Sequence, residues 1–328
     1  ASEVPSGLDT ARIKRDLIYE IAGLGPLEAM LDDPGVESIE VNGFDQIQVF
    51  RSGDRGPAEA RFSSQTALLS AVERLVRATG LSLPDGATHA EGALADGTSV
   101  RVVWPPLCPN GPVLLLRKPR KDAPTVSELV SRGWIDSRVA NALAAAVNAG
   151  RSIAICGPVG SGRRTVVNAL GVGVDKSERI VVAEAGVRLA LSQPHVVRID
   201  LSVTDAATSG LGIALAMQPE RLLVCVDEAP QVAELVGVSA SGLPPWIGSF
   251  FAADADDLVQ RAQRALVLAH PGISESVARD CVAATFDLIA SLQPDGAGGF
   301  RMSSLLELTN ASGAVALTPW PPADDSGA

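Results

Sequence analysis

The chain has 328 residues, 46% of them hydrophobic and 20% charged, with a net charge of −11 and a mean hydropathy of +0.22. That length accommodates two domains with separate cores, while the negative field disfavours non-specific binding to nucleic-acid backbones. Cys108, Cys156, Cys225 and Cys281 lie far apart with no CxxC pair, which fits reduced, mostly buried thiols better than a zinc site or a disulfide framework.

Residues 1–16 are polar and carry Arg12, Lys14 and Arg15 with no apolar block behind them, so they are not read as a secretory signal. Nowhere does the chain run to the roughly 18 consecutive apolar residues of a membrane-spanning helix, and a cytoplasmic protein is expected. Residues 10–22 form an amphipathic helix pattern with Ile13, Leu17, Ile18 and Ile21 on one face, expected to pack into a core, and Gly23 as its stop. The stretch IEVNGFDQIQVF (39–50) alternates around Asn42-Gly43, a hairpin signal. A second helix is expected over 64–79, with Leu68, Leu69, Val72, Leu75 and Val76 in helical spacing before Gly80. Strand-like runs at 100–104 and 113–116 complete a small α+β domain over 1–118. RKPRKDAPT (117–125) is basic and has little to bury; it marks a linker, set at 119–127. Thr125-Val126-Ser127-Glu128 is a capping box that opens the next helix.

From there the pattern becomes strand, turn, helix, strand, that of a parallel α/β sheet. Residues 137–149 are an Ala-rich helix ended by Gly150, and 152–156 a short apolar strand. Directly after the strand comes GPVGSGRRT (157–165), followed by an apolar helix. A glycine-rich turn between strand and helix gathers backbone N–H groups at a helix N-terminus, where the dipole favours phosphate. The spacing of Gly157, Gly160, Ser161 and Gly162 is that of a Walker A loop. Such a loop continues with Lys, which reaches the β- and γ-phosphates, and Ser or Thr, whose hydroxyl holds Mg²⁺. Here Arg163 and Arg164 stand in those places. Arginine keeps the charge but not the compactness of an ammonium, and Arg164 offers no oxygen to a metal. Thr165 supplies a hydroxyl only if the helix start slips by one residue, which turns its side chain by about 100°. Weakened Mg-ATP binding is the expectation. Further on, LLVCVDE (222–228) is an apolar strand followed by Asp227 and Glu228. In a Walker B strand such residues position Mg²⁺ and orient the attacking water; they also suit a solvated strand end.

Several segments in order resemble the type II/IV secretion ATPase superfamily, nearest its Tad-type pilus branch. They are GLGPLEAMLDDPGVESIEVNG (23–43), ADGTSVRVVWPPLCPNGPVLLLRK (95–118), SERIVVAEAGVRLALSQPHVVRID (177–200), QPERLLVCVDEAPQVAEL (218–235), IGSFFAADA (247–255) and SVARDCVAATFDLIAS (276–291). The resemblance implies an amino-terminal α+β domain, a RecA-like P-loop domain over 128–318 and a disordered tail over 319–328. It further implies a hexameric ring at the cytoplasmic side of the inner membrane, with ATP and Mg²⁺ bound between the domains.

Carried over position by position, the family's acidic box falls on Glu184 and Ala185, and its Walker B Gly-Glu on Cys225 and Val226. The histidine box falls on Gly248-Ser249, Phe251-Ala252 and Asp254. One phosphate-directed arginine of the small domain matches Arg117; a second falls on Ser99, with Arg101 two residues on. His195 and Asp287 match family positions and are read as structural. Two readings stand. In one, the chain is a pseudo-ATPase subunit acting through protein contacts, beside an active paralogous ATPase or inner-membrane platform proteins. In the other, it is a motor whose work falls to Arg163, Thr165, Asp227 and Glu228, with Glu184 as the surviving acid.

Overall fold

The computed structural model describes residues 10–51, 54–80, 86–119, 123–185, 189–201, 209–239, 242–296, 299–311 and 314–322. Two compact units divide the chain near residue 120.

In the first unit, α1 (Thr10–Ala22) and α2 (Leu27–Asp32) precede β1 (Val36–Gly43), β2 (Gln46–Arg51) and β3 (Asp54–Pro57). Then follow α3 (Gln65–Ala78), β4 (His89–Ala93), β5 (Ser99–Val103) and β6 (Val113–Arg117). The strands make an antiparallel six-stranded sheet in the order β3-β2-β1-β6-β5-β4. Ile39, Val41, Leu114, Leu116, Val100 and Val102 point to one face of it, and α3 covers them with Leu68, Val72 and Leu75. The helix is capped by Ser64, whose side chain accepts the N–H of Ala67.

Two expectations are corrected here. The β1–β2 hairpin turns at Phe44-Asp45, not at Asn42-Gly43: Gly43 pairs with Gln46 and Val41 with Ile47. Burying Val41 opposite Ile47 sets this register, because a one-residue slip turns a whole strand inside out. The apolar stripe of α1 is also not core, since Leu17, Ile18 and Ile21 are 52%, 63% and 75% exposed. The helix is held by polar contacts instead. Arg74 of α3 donates to the carbonyls of Gly23 and Glu20 at 2.6 and 3.0 Å. Ile13 has a side chain outside the described residues.

The second unit opens with α4 (Val126–Ser131), whose Thr125–Glu128 capping box is complete, and α5 (Ser137–Asn148). It continues through β7 (Ile153–Gly157), α6 (Arg163–Val172), β8 (Ile180–Glu184), β9 (Val196–Asp200), α7 (Gly210–Ala216) and β10 (Arg221–Cys225). Last come α8 (Ala229–Val238), β11 (Trp246–Phe251), α9 (Ala255–Ala269), α10 (Glu275–Thr285), β12 (Leu288–Pro294), β13 (Phe300–Ala311) and β14 (Ala314–Pro319). The eight strands run β14-β13-β12-β7-β11-β10-β8-β9. From β12 to β9 all neighbours are parallel, and β13 and β14 join as antiparallel edge strands.

Alternation along the strands splits this unit's core in two. Ala154, Val181, Leu222 and Val224 face α7–α10, whereas Ile153, Ile155, Val182 and Leu223 face α4–α6. Both faces are covered, which is why these strands read as continuous apolar runs. Trp246, Phe250 and Phe286 meet edge to face within 5.7 Å on the first side. At the carboxyl end, Pro319 closes β14, Trp320 packs on the second core and its N–H bonds the Leu305 carbonyl. Residues 319–322 are thus ordered, against the expected disorder; residues 323–328 lie outside the described residues, as do Arg120 and Lys121 of the basic run. Lys118 of that run donates to the carbonyls of Leu31 and Asp33 at 2.5 and 2.7 Å.

Candidate nucleotide site

β7 delivers the chain into GPVGSGRRT. Gly160 and Gly162 take φ of 83° and 78°, a left-handed backbone that strains any residue with a Cβ, and Gly162 is the N-cap of α6. A methyl at 162 would strike the Phe300 ring, and one at 157 the Ser161 side chain and the Leu292 carbonyl. Glycine at these places lets the loop close tightly over the sheet. Its N–H groups are thereby collected at the positive end of a ten-residue helix. Ser161 is fully buried inside the turn, and its Oγ has no hydrogen-bond partner.

The loop also stands at a topological switch point. β7 lies between β12 and β11; its connection leads to α6 on one face, while β11 leads to α9 on the other. Connections that part in this way leave a crevice at the carboxyl ends of the strands, where α/β sheets bind ligands.

At that crevice the second unit brings three sequence-predicted residues together, Arg163, Asp227 and Phe251. Arg163, with only 11% of its side chain exposed, donates from Nη1 to Asp227 Oδ1 at 2.5 Å. Its guanidinium lies 5.7 Å from the centre of the Phe251 ring. Arg261 approaches the same ring at 5.3 Å and pairs with Asp257 at 2.7 Å. The Asp257 carboxyl is held below its ordinary range by the Ala253 N–H and then by Arg261. Asp254, at the histidine-box position, caps α9 by accepting the Asp257 N–H.

The other candidates are placed differently. Arg164 donates from Nη2 to the Ala185 carbonyl at 2.9 Å, tying α6 to the end of β8. Thr165 is the third residue of a helix that begins at Arg163, so the one-residue slip that would present its hydroxyl is not seen. Asp227 and Glu228 lie past the end of β10 and are exposed, and Glu228 occupies the N-cap of α8 without a side-chain cap bond. Glu184 is buried: Oε1 accepts from Arg198 at 2.7 Å and Oε2 from the Leu189 N–H at 2.9 Å. Burial pushes its carboxyl upward, opposed by the Leu189 N–H and by the charges of Arg198 and Arg164. Arg117 ends β6 in the first unit, opposite Ser38 and Ser99, and Arg101 there pairs with Glu91. Asp287 accepts the Ser152 N–H at 2.8 Å, bracing the start of β7, and the His195 carbonyl accepts the Ile180 N–H.

Sequence reading had passed over Arg198 and Phe300. The first sits in VVRID, opposite Val182 and so on the same face as Glu184 two residues on, where an alternating strand could have flagged a charged residue. The second had no local signal, because it meets Gly162 only through the pairing of β12 with β13.

Chemically, the turn fits phosphate oxygens: it offers converging N–H groups and two adjacent guanidinium residues. It does not fit a Walker-type Mg²⁺. Arg164 replaces the hydroxyl donor, and Asp227 is bound by Arg163. Among the described residues, no group of three or more His, Cys, Asp or Glu side chains is arranged to hold a metal, and no helix is long and apolar enough to cross a membrane.

A match to the type II/IV secretion system protein family spans residues 20–285. A Mycobacterium tuberculosis protein, provisionally named a conjugal transfer protein, is 28% identical over 322 residues, covering 93% of this chain and 90% of that one. The type IV secretion system protein PtlH of Bordetella pertussis is 28% identical over 241 residues, 64% of this chain and 71% of its own. Among solved structures, the Legionella pneumophila ATPase DotB aligns with a TM-score of 0.60 at 14% identity, over 95% of this chain and 84% of that one. The pilus retraction motor PilT with bound ADP gives 0.60 at 17% identity, over 88% and 83%. These structural likenesses bear on the fold.

Proposed function

The chain belongs to the type II/IV secretion system protein family, and from that premise we propose that it is a hydrolysis-deficient subunit of a Tad-type pilus or secretion machine. It acts through protein contacts and does not turn over ATP. The observation that carries this reading is the Arg163–Asp227 ion pair at 2.5 Å. Where hydrolysis calls for a lysine on phosphate and a carboxylate free for metal, the two cooperating positions are joined to each other. Arg164 and Glu184 are likewise engaged, with the Ala185 carbonyl and with Arg198.

Residues 157–165 would hold the phosphates of a nucleotide, as the family membership and the ADP seen in PilT support. Bound ATP would supply the phosphoryl group and Mg²⁺ its charge neutralisation. The chain's own contribution is a cradle of N–H groups and two arginines. Thr165, Asp227 and Glu228 are the residues a residual activity would call upon. The subunit is assigned to an oligomer, a hexameric ring by family resemblance. Its partners are an active paralogous ATPase and inner-membrane platform proteins, and it sits at the cytoplasmic surface of that membrane.

The test is steady-state hydrolysis beside Mg-ATP calorimetry on the full chain and on the Arg163→Lys, Arg164→Thr double variant. Absent turnover, with tighter Mg-ATP binding in the double variant, is expected. Turnover in the parent chain that disappears in Glu228→Gln would replace this reading with that of an active motor using shifted residues.

A further inference from the structure

The Arg163–Asp227 pair does more than remove a metal ligand. Mg²⁺ demands near-ideal octahedral oxygen coordination at about 2.0–2.1 Å, and its entry at Asp227 would place a dication beside the guanidinium already there. One of the two would have to leave. A guanidinium, in contrast, carries five N–H donors in a planar fork suited to bidentate phosphate contact, and the bond to Asp227 is made by Nη1. The Phe251 ring centre lies 5.7 Å from this group, and Asp227 bonds it, so contacts within the protein position it and it needs no metal to order it.

A further observation bears on the charge of this site. Arg164 brings a second guanidinium to the same helix start. The two guanidinium groups carry two positive charges, one of them countered by Asp227.

Resting on the hydrolysis-deficient reading above, we propose that the 157–165 turn is a metal-independent polyphosphate site. It takes the di- or triphosphate chain of a nucleotide without Mg²⁺, and Arg163 supplies the charge that the metal supplies elsewhere. Asp227 then orients the arginine, as a positioning residue, and does not ligate metal.

Calorimetric titration of ADP, and separately of inorganic tripolyphosphate, into the full chain tests this in excess EDTA and in excess Mg²⁺. Both polyphosphates are expected to bind in EDTA, and Mg²⁺ should weaken the affinity about tenfold, since chelation withdraws the ligand from a site built for the free anion. In the Arg163→Lys, Arg164→Thr variant, checked for an unchanged melting profile, the sign should reverse, with Mg²⁺ tightening ADP. Should that variant not fold, the sign of the Mg²⁺ effect on the parent chain decides. Tightening by Mg²⁺ in the parent, or binding of ADP without tripolyphosphate, overturns the proposal. Silence of both ligands under both conditions also overturns it while leaving the hydrolysis-deficient reading intact, whereas Mg-dependent turnover sinks both.

Discussion

A single buried carboxylate shows how far a residue's chemistry is decided by its neighbours. Glu184 has 4% of its side chain exposed against an Arg198 that is 30% exposed. Desolvation outweighs the Leu189 N–H and the arginine charges, so its carboxyl titrates above the ordinary 4.5. A carboxyl raised on folding stabilises the native state most below the unfolded value and loses that contribution as pH rises through the folded one. Urea unfolding of Glu184→Gln beside the parent chain should therefore show the parent losing ground to the variant as pH climbs from 4 to 7. The charge still needs its partner: Arg198→Ala should cost about 3 kcal/mol at neutral pH, by leaving a buried carboxylate unpaired. Thiols obey the same rule. Burial raises Cys156 and Cys225 to about 11, so at pH 8 an alkylating reagent on the native protein should mark Cys108 and Cys281, which are partly exposed. Mass spectrometry should find the other two labelled only in denaturant.

Turns and helix starts are where elements depend on one residue type. Gly162 combines a φ of 78° with a ring packed where its side chain would be. Gly162→Ala should destabilise the second unit by about 3 kcal/mol and abolish polyphosphate binding, as read by thermal unfolding with and without ligand. Gly160 has a similar φ but open space around it, so Gly160→Ala should cost about 1 kcal/mol. The contrast separates backbone strain from close packing. At α4, Thr125 accepts the Glu128 N–H while Glu128 accepts that of Thr125; Thr125→Ala should cost about 1 kcal/mol. This capping box, the α3 and α5 helices and the strand before the glycine turn were all legible in the sequence, because periodicity and caps act over a few residues. The hairpin turn of β1 and β2 was not: Asn42-Gly43 is a strong local signal, and it yielded to the burial of Val41 and Ile47.

At the scale of the whole molecule, each unit owns its core, the second one two layers on either side of a sheet. A fragment of residues 121–328 should accordingly fold alone, with a single cooperative urea transition and a native near-ultraviolet spectrum from its Trp246 cluster. Sequence alone determined the small α+β part and the mainly parallel sheet that follows it, the loop spacing at 157–162 and the loss of the lysine and hydroxyl that follow it. These are properties of local pattern and residue type. Only the tertiary structure decided that Arg163 closes on Asp227, 64 positions away, that Glu184 is held by Arg198, that Phe300 seals Gly162, and that the apolar stripe of α1 is left outside the first core. The reason is physical: periodicity reports which residues are apolar, but an ion pair or a ring packed on a glycine forms between residues distant in sequence. Strand order alone brings them within reach.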